Sequence, residues 1–367
     1  MGEVEHRVEE NYYFRLAQHK DWLLGYLRSH PDCVTPDFRQ TELINAVEKL
    51  SGDLCISRPK LRLSWGIELP FDSDFVNFVW FDALTNYISF IGYDPSISSF
   101  ILQPSSFQER WPALHILGKD ILIPAHGIYW PIMLHSLGFP DEQLPRFLVH
   151  GWWNSGGAKM SKSLGNVVDP NELAGKYGTE ALRYYLMSDI VTGRDADFSE
   201  DRLVTRFNSE LANSLGNLLN RALTMIWKFR EGTVTRASGV PGEIGDVDSD
   251  ATAAMSAALR LADICNERID SEKPWVLAKD PAQREKLDAL LYHLAESLRL
   301  IAIFISPVVP KAAHGIFDQL HWKSELSGEE KRFSLGEAGW GGLPDGHVVG
   351  KPSPLLPRIE KASPPAP

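Results

Sequence analysis

From Asn77 to Gly151 the chain repeats one pattern, a short apolar run followed by a helical stretch. No other feature restricts the possible folds as much. Asn77–Phe81, Ala113–Leu117 and Arg146–His150 read as buried strands, and the stretch from Asp120 to Ser136 between the last two reads as a helix. Strand–helix–strand with a crossover of that length implies a parallel sheet, because only adjacent antiparallel strands can be joined by a tight turn. Ligands of such sheets bind beyond the C-terminal ends of the strands. Asp82, Gly118, Asp120, His150 and a lysine-containing loop after Gly151 all fall there.

After Pro170 the pattern is almost wholly helical. Leu203, Phe207, Leu211, Leu215, Leu218, Leu219 and Ala222 form one apolar stripe, and Leu287, Leu290, Leu291, Leu294, Leu298, Ile301 and Ile305 form another. Residues 1–50 also read as mostly helical. A Gly/Asp/Pro-rich stretch from Gly232 to Asp250 divides the helical half, and the tail from Lys361 to Pro367 is expected to be disordered. The expected fold class is therefore α/β plus all-α.

The 367 residues, 44% of them hydrophobic and 23% charged, suffice for about two or three domains. No apolar run is long enough to cross a bilayer, and the charged first ten residues carry no secretory signal, so the expected compartment is the cytoplasm. Cys33, Cys55 and Cys265 lie far apart with no Cys-x-x-Cys pair, which argues against a disulfide framework and a cysteine zinc site. A net charge of -11 excludes coating nucleic acid by bulk electrostatics. Any RNA contact must rest on local aromatic and base-edge groups.

Lys159-Met160-Ser161-Lys162-Ser163 follows a flexible-looking run, Asn154-Ser155-Gly156-Gly157-Ala158. Two ammonium groups three positions apart, on a loop hinged by glycines, suit a clamp on a polyphosphate whose charge grows as a bond breaks. A solvated basic turn is the plain alternative. The spelling is similar to the signature loop of class I aminoacyl-tRNA synthetases. Phe78-Val79-Trp80-Phe81-Asp82-Ala83, Gly118-Lys119-Asp120-Ile121, Tyr129-Trp130-Pro131, His150-Gly151 and Lys273-Pro274-Trp275-Val276 narrow that likeness, as do Ile56-Ser57-Arg58 and Trp65-Gly66-Ile67. In order and spacing the chain resembles the bacterial-type methionyl-tRNA synthetases, from inside their connective insertion through their anticodon-binding helices. The first strand and His-Ile-Gly-His-type turn of that family have no counterpart here. His115-Ile116-Leu117-Gly118 and Ala125-His126-Gly127 belong to later segments.

The resemblance implies the C-terminal half of a Rossmann-like doubly wound parallel sheet followed by an α-helical anticodon-binding bundle. It divides the chain into a remnant of the insertion (1–70), the second catalytic half (71–200), the anticodon domain (201–325) and a strap with tail (326–367). Roles follow by position. Lys162, with Lys159 in support, would stabilise leaving pyrophosphate, and Arg58 would organise the reacting carboxylate and phosphate. Gly118, Asp120, His150 and Gly151, together with Lys162, would hold ATP. Asp120 reads equally as a helix N-cap, and Arg58 taken alone as a surface arginine. Trp80, Ala83, Leu84 and Tyr87, spaced i, i+3, i+4 and i+7, would wall a methionine pocket, where aromatic rings suit a polarizable thioether; a plain core stripe has the same spacing. His126 maps near that pocket although one extra residue separates it from Asp120, and a satisfied core histidine is the alternative. Asn217, Arg221, Pro274 and Trp275 would read the anticodon by stacking and base-edge bonds, against the alternative of a solvated face and a buried tryptophan.

The implied activity is methionine–tRNA ligation by a chain lacking part of the enzyme, with ATP and its Mg²⁺, methionine, and the initiator and elongator methionine tRNAs as partners. No zinc or other metal site and no membrane contact are expected. The rival reading is a non-catalytic tRNA-binding module, or one half of a split enzyme working with a separate N-terminal half.

Overall fold

The computed structural model describes residues 8–236, 251–332 and 334–360. The first residues, most of the Gly232–Asp250 stretch and the expected disordered tail thus lie outside the described residues. The chain divides into two compact units. The first comprises residues 1–153 and 191–196, the second 154–190 and 197–367.

The first unit is built on a parallel sheet of three strands, β1 (Val34–Thr35), β2 (Leu114–Gly118) and β3 (Arg146–His150), in the order β1-β3-β2. β2 and β3 run parallel in register from Leu114 opposite Arg146 to Gly118 opposite His150, while Val34 faces Phe147. Both strands expected from their apolar runs are therefore present. β1 has no such signal, since two residues are too few for periodicity and the flanking sequence is helical.

Alternation sorts each strand into two faces. His115, Leu117, Phe147 and Val149 turn inward onto a core with Leu23, Leu43, Val47, Trp130 and Leu134. Leu114 and Ile116 point the other way and are 54% and 68% exposed. Beyond β2 no further strand is paired among the described residues. One face of the sheet is covered by helices and the other exposes Leu114 and Ile116, and among the described residues no strand pairs beyond β2 or beyond the short β1.

Asn77–Phe81 is not a strand. The strand covers Asp72–Asn77, pairs antiparallel with Ser57–Pro59 and Glu68–Leu69, and ends where the chain turns into a short helix, Val79–Ala83. Amides of Phe81 and Asp82 donate to the Phe78 carbonyl, so the apolar run closes a helical turn instead of joining a ladder. Short apolar runs carry no period that separates these outcomes.

The helix expected over Asp120 to Ser136 is interrupted. A turn at Lys119–Ile121 leads into a wide, π-type stretch, Leu122–Tyr129, before regular helix resumes at Trp130–Ser136. Within the wide stretch Ile123 leaves helical geometry altogether, at φ -112° and ψ 121°. The chain therefore kinks at Ile123, and His126 and Trp130 beyond the kink both face inward.

The second unit is helical. Glu200–Arg206 continues through a second wide stretch, Phe207–Gly216, into α1 (Asn217–Arg230); α2 (Ala251–Glu272) and α3 (Arg284–Ile305) complete the centre. Both predicted stripes are buried throughout. From Leu290 to Ile305 every residue of α3 is buried, so this helix is surrounded on all sides. That includes the ion pair of Arg299 with Glu296. Arg299 also donates to the carbonyls of Glu337 and Gly339, and Glu296 accepts from the amides of Gly342 and Leu343. The segment after Glu325 is thus tied to the central helix. Further on, Asn208 grips the backbone of Ile359 through both its amide and carbonyl groups.

Candidate functional site

In the first unit, Gly118 and His150 lie opposite each other at the C-terminal ends of neighbouring strands. Gly118 is the N-cap of the turn that follows, and Asp120 stands in its first turn without capping it, so the N-cap reading of Asp120 does not hold. A Cβ on Gly118 would come within 2.8 Å of an Asp120 carboxylate oxygen and 3.6 Å of the His150 ring. The missing side chain therefore lets the carboxylate and the imidazole converge over the strand end. Gly151 is more strictly required, because a Cβ there would lie 2.1 Å from the Arg194 carbonyl oxygen, a backbone atom.

Two side chains that sequence reasoning passed over complete this corner. Asp195 accepts from the Trp152 amide at 2.9 Å and from Lys119 at 2.7 Å, and these bonds, that of Lys119 foremost, hold its carboxyl below the usual range. Lys119 also lies 4.2 Å from the Trp152 ring centroid. Lys119 stood within a motif already noted, whereas Asp195 is distant in sequence and nothing local marks it.

Trp80, Tyr87 and His126 do come together. The Trp80 and His126 rings meet edge to face at 6.1 Å, and the Tyr87 hydroxyl lies 2.9 Å from His126 Nε2. His126 Nδ1 sits 2.9 Å from the Ile121 carbonyl, which can only accept. Nδ1 therefore carries the proton and Nε2 accepts from Tyr87. The ring is 2% exposed, and burial outweighs the Ile121 bond to hold its pKa below the ordinary value. It is a satisfied core histidine that also orients Tyr87.

Behind these lie His115, whose ring is 4.3 Å from that of Tyr87, and the fully buried Trp130 at 5.9 Å. Burial pushes His115 down to about 4. The cluster is thus aromatic and uncharged near neutrality. Leu84 is buried in the core proper, Ala83 is half-buried, and Trp80 and Tyr87 remain partly open.

Arg58 is elsewhere engaged. It donates to the Ser57 carbonyl and the Cys55 sulfur and lies 4.3 Å from the Phe78 ring centroid. None of these contacts joins it to Asp120 or His150.

In the second unit, the two glycines before the lysines form no loose hinge. Asn154 pairs with Lys159 and Ser155 with Ala158, so Gly156 and Gly157 are the two-residue turn of a hairpin, at φ 63° and 76°. Tight hairpin turns of this kind need positive φ at both central positions, which glycine adopts without strain. Beyond the hairpin, Asn166 accepts from the Ser161 amide and donates to the Lys159 carbonyl, while Ser161 Oγ caps the short helix that begins at Lys162. Lys159 and Lys162 are exposed on a loop stapled at its base.

Also in this unit, Asn213, Asn217 and Asn220 are exposed and border a cavity of ≈ 580 Å³, which Arg358 lines as well. Arg358 donates to Asn213. Arg221, one turn on from Asn217, is held by Asn266 and Asp270 of α2. That helix ends at Glu272; Pro274 is buried at the start of the next helical turn, and Trp275 is 45% exposed. A buried tryptophan between helices is excluded. The part Arg358 plays in the cavity wall was invisible in the sequence, where it stands alone near the tail.

Residues 2–223 match the family described as tRNA synthetases class I (M). The chain belongs to that class. Within it, the relatives are methionine–tRNA ligases, and the chain is a member of their family. It is 40% identical to the enzyme of Caldanaerobacter subterraneus subsp. tengcongensis over 380 residues, which covers 97% of this chain and 56% of that one. With the Thermosynechococcus vestitus enzyme it shares 37% identity over 377 residues, covering 97% of this chain and 69% of the relative. The Mycobacterium tuberculosis methionyl-tRNA synthetase, solved in complex with methionyl-adenylate, superposes with a TM-score of 0.79 at 33% identity, covering 95% of this chain and 69% of that one. The chain spans about half the length of several of the curated relatives it matches.

Proposed function

We propose that the chain forms the methionine-selecting and tRNA-reading part of a cytoplasmic methionine–tRNA ligase. The observation that carries this is the neutral aromatic cluster of Trp80, Tyr87 and His126 in a chain of this family. A thioether gains from aromatic contact and tolerates no unpaired charge beside it, so the cluster suits a methionine side chain.

In this reading the methionine carboxylate attacks the α-phosphate of ATP, giving methionyl-adenylate and pyrophosphate. The amino acid then passes to the terminal adenosine of initiator or elongator methionine tRNA. The substrate supplies its own nucleophile, so the protein positions the reactants and stabilises charge. Asp120 accepts from the ribose hydroxyls, and the backbone at His150–Gly151 contacts adenine. Lys162 and Lys159 meet the negative charge that grows on the departing pyrophosphate, and Mg²⁺ arrives with the ATP phosphates. Arg58 must leave its present partners to help the carboxylate. Asn217, Arg221 and Trp275 read the anticodon, with Pro274 fixing the turn that presents Trp275.

The activity needs, in addition, polypeptide corresponding to the rest of the relatives' length, whether on the same molecule or as a separate N-terminal half. The open edge of β2 and its bare Leu114 and Ile116 supply a surface for it. Methionine-dependent ATP–pyrophosphate exchange is the test. We expect the 367-residue chain alone to be at least about 10²-fold below a complete enzyme, because losing one transition-state contact already costs that much, and exchange to return when the missing part is added. Full exchange by the chain alone would refute the need for a second part. No exchange in the completed enzyme would refute the ligase reading.

A further inference from the structure

Tyr87, Trp111, His115, His126 and Trp130 bring polar ring atoms into one aromatic cluster of the first unit. Most of those atoms are satisfied. The Tyr87 hydroxyl donates to His126 Nε2, His126 Nδ1 donates to the Ile121 carbonyl, and Trp111 Nε1 donates to the Gln143 carbonyl. His115 Nε2 and Trp130 Nε1 are left over. Both atoms are shut away from solvent and have no hydrogen-bond partner among the described residues, so they do not bond each other either. As whole residues His115 is 7% exposed and Trp130 0%.

The two orphaned atoms belong to one neighbourhood. The alternation of β2 turns His115 inward, and Trp130 enters the same core from the start of the helix Trp130–Ser136. Their rings share two neighbours. Tyr87 lies 4.3 Å from His115 and 5.9 Å from Trp130, and Trp111 lies 6.4 Å and 6.3 Å away. A buried polar atom without a partner is costly, and native proteins seldom keep one. An indole N–H can only donate. The His115 ring is neutral at pH 7, because burial pushes it down to about 4, so its Nε2 either donates or accepts. Every other side-chain polar atom named in the cluster is committed to its own bond. Water, which accepts and donates at once, answers both atoms, and buried waters serve groups of this kind.

We propose that one ordered water is bound between Trp130 Nε1 and His115 Nε2, and that through it His115 positions Tyr87. The Tyr87 hydroxyl is fixed by His126, and the bridged pair backs its ring, whose residue is 40% exposed next to Trp80 and His126. His115 thereby acts on the methionine pocket without touching methionine. The water is independent of the ligase reading, whereas its effect on methionine rests on that reading.

High-resolution crystal structures of the 367-residue chain test the water directly. We expect one ordered water within about 2.7–3.2 Å of both atoms, and its loss in Trp130→Phe, which removes the donor. A dry space in the unsubstituted chain, or a direct bond between the two rings, would overturn the proposal. In the completed enzyme, His115→Phe should raise the KM for methionine about tenfold in the exchange assay. The kcat and the KM for ATP should stay within about twofold. His115→Gln keeps a polar atom for the water and should restore most of the methionine affinity. An unchanged KM for methionine, or equal changes for methionine and ATP, would remove the positioning role. Absence of any exchange in the completed enzyme would take that role down together with the ligase reading, and the crystal structures would still decide the water.

Discussion

At the scale of single residues, the histidines carry a pH dependence whose sign is fixed by their burial. Burial is the main cause that pushes His115 and His293 down to about 4, and His126 and the nearby Arg268 respectively add to it. Unfolding returns each ring to its ordinary value of 6.5. Between 6.5 and about 4 the unfolded chain binds protons that the folded chain refuses, so stability is full above that window and falls as pH drops through it. Each ring can account for about 3 kcal/mol at most. Urea midpoints measured at pH 7.5 and pH 5 should therefore differ, and His115→Phe and His293→Phe should each narrow the gap; identical midpoints would count against both assignments. Trp275 is a case of the opposite kind, an aromatic side chain nearly half open to solvent. Stacking on an anticodon base is worth about 1–3 kcal/mol, so Trp275→Ala should weaken methionine tRNA by about one to two orders of magnitude. Adenylate formation should be unchanged, because that step uses no tRNA. Equal binding of methionine tRNA and an anticodon-swapped tRNA, indifferent to the substitution, would remove the assignment.

At the scale of elements, legibility followed the length of the periodic signal. β2 and β3, the stripe from Leu203 to Ala222 and that from Leu287 to Ile305 could each be read from spacing alone. β1 could not, and Phe78–Phe81 was misread, since four apolar residues in a row fit a strand or a helical turn equally well. The glycines before Lys159 promised looseness and form a tight turn, because a pair of positive-φ residues between two pairable segments is also the recipe for a hairpin. Of the candidate site, the local groups Gly118, Asp120, Trp80, Tyr87 and His126 were visible. Partners delivered by a remote segment, such as Asp195 and Arg358, leave no trace in local spacing. The interior of α3 shows what packing demands of one element. Replacing Arg299 with leucine leaves the fully buried Glu296 carboxylate without its guanidinium. Stripping a buried charge of its partner costs about 3–5 kcal/mol, so Arg299→Leu should lower the urea midpoint strongly and free the 337–343 segment to early proteolysis. Full stability in that variant would show that the backbone amides of Gly342 and Leu343 suffice for Glu296.

For the molecule as a whole, the bare side of the parallel sheet sets its behaviour in solution. An exposed strand edge beside exposed Ile116 and Leu114 invites pairing with any available strand. Ile116→Lys should therefore reduce self-association of the isolated chain in sedimentation measurements, and the same change should block recovery of exchange activity by the missing part. Reduced association with full recovery would separate the two surfaces. The division of the chain has a consequence for how the protein is made. Residues 191–196 belong to the first unit, yet they follow the 37 residues from 154 to 190 that belong to the second. Asp195, which secures both Trp152 and Lys119 beside the strand ends, and Arg194, whose carbonyl packs on Gly151, are therefore translated well after the strands they serve. At about 5–20 residues per second the ribosome holds that corner unfinished for some seconds. During that interval the nascent parallel sheet waits with the C-terminal ends of its strands unlatched, and a chain stalled or cleaved between residues 153 and 194 would keep all three of its strands yet lack the latch.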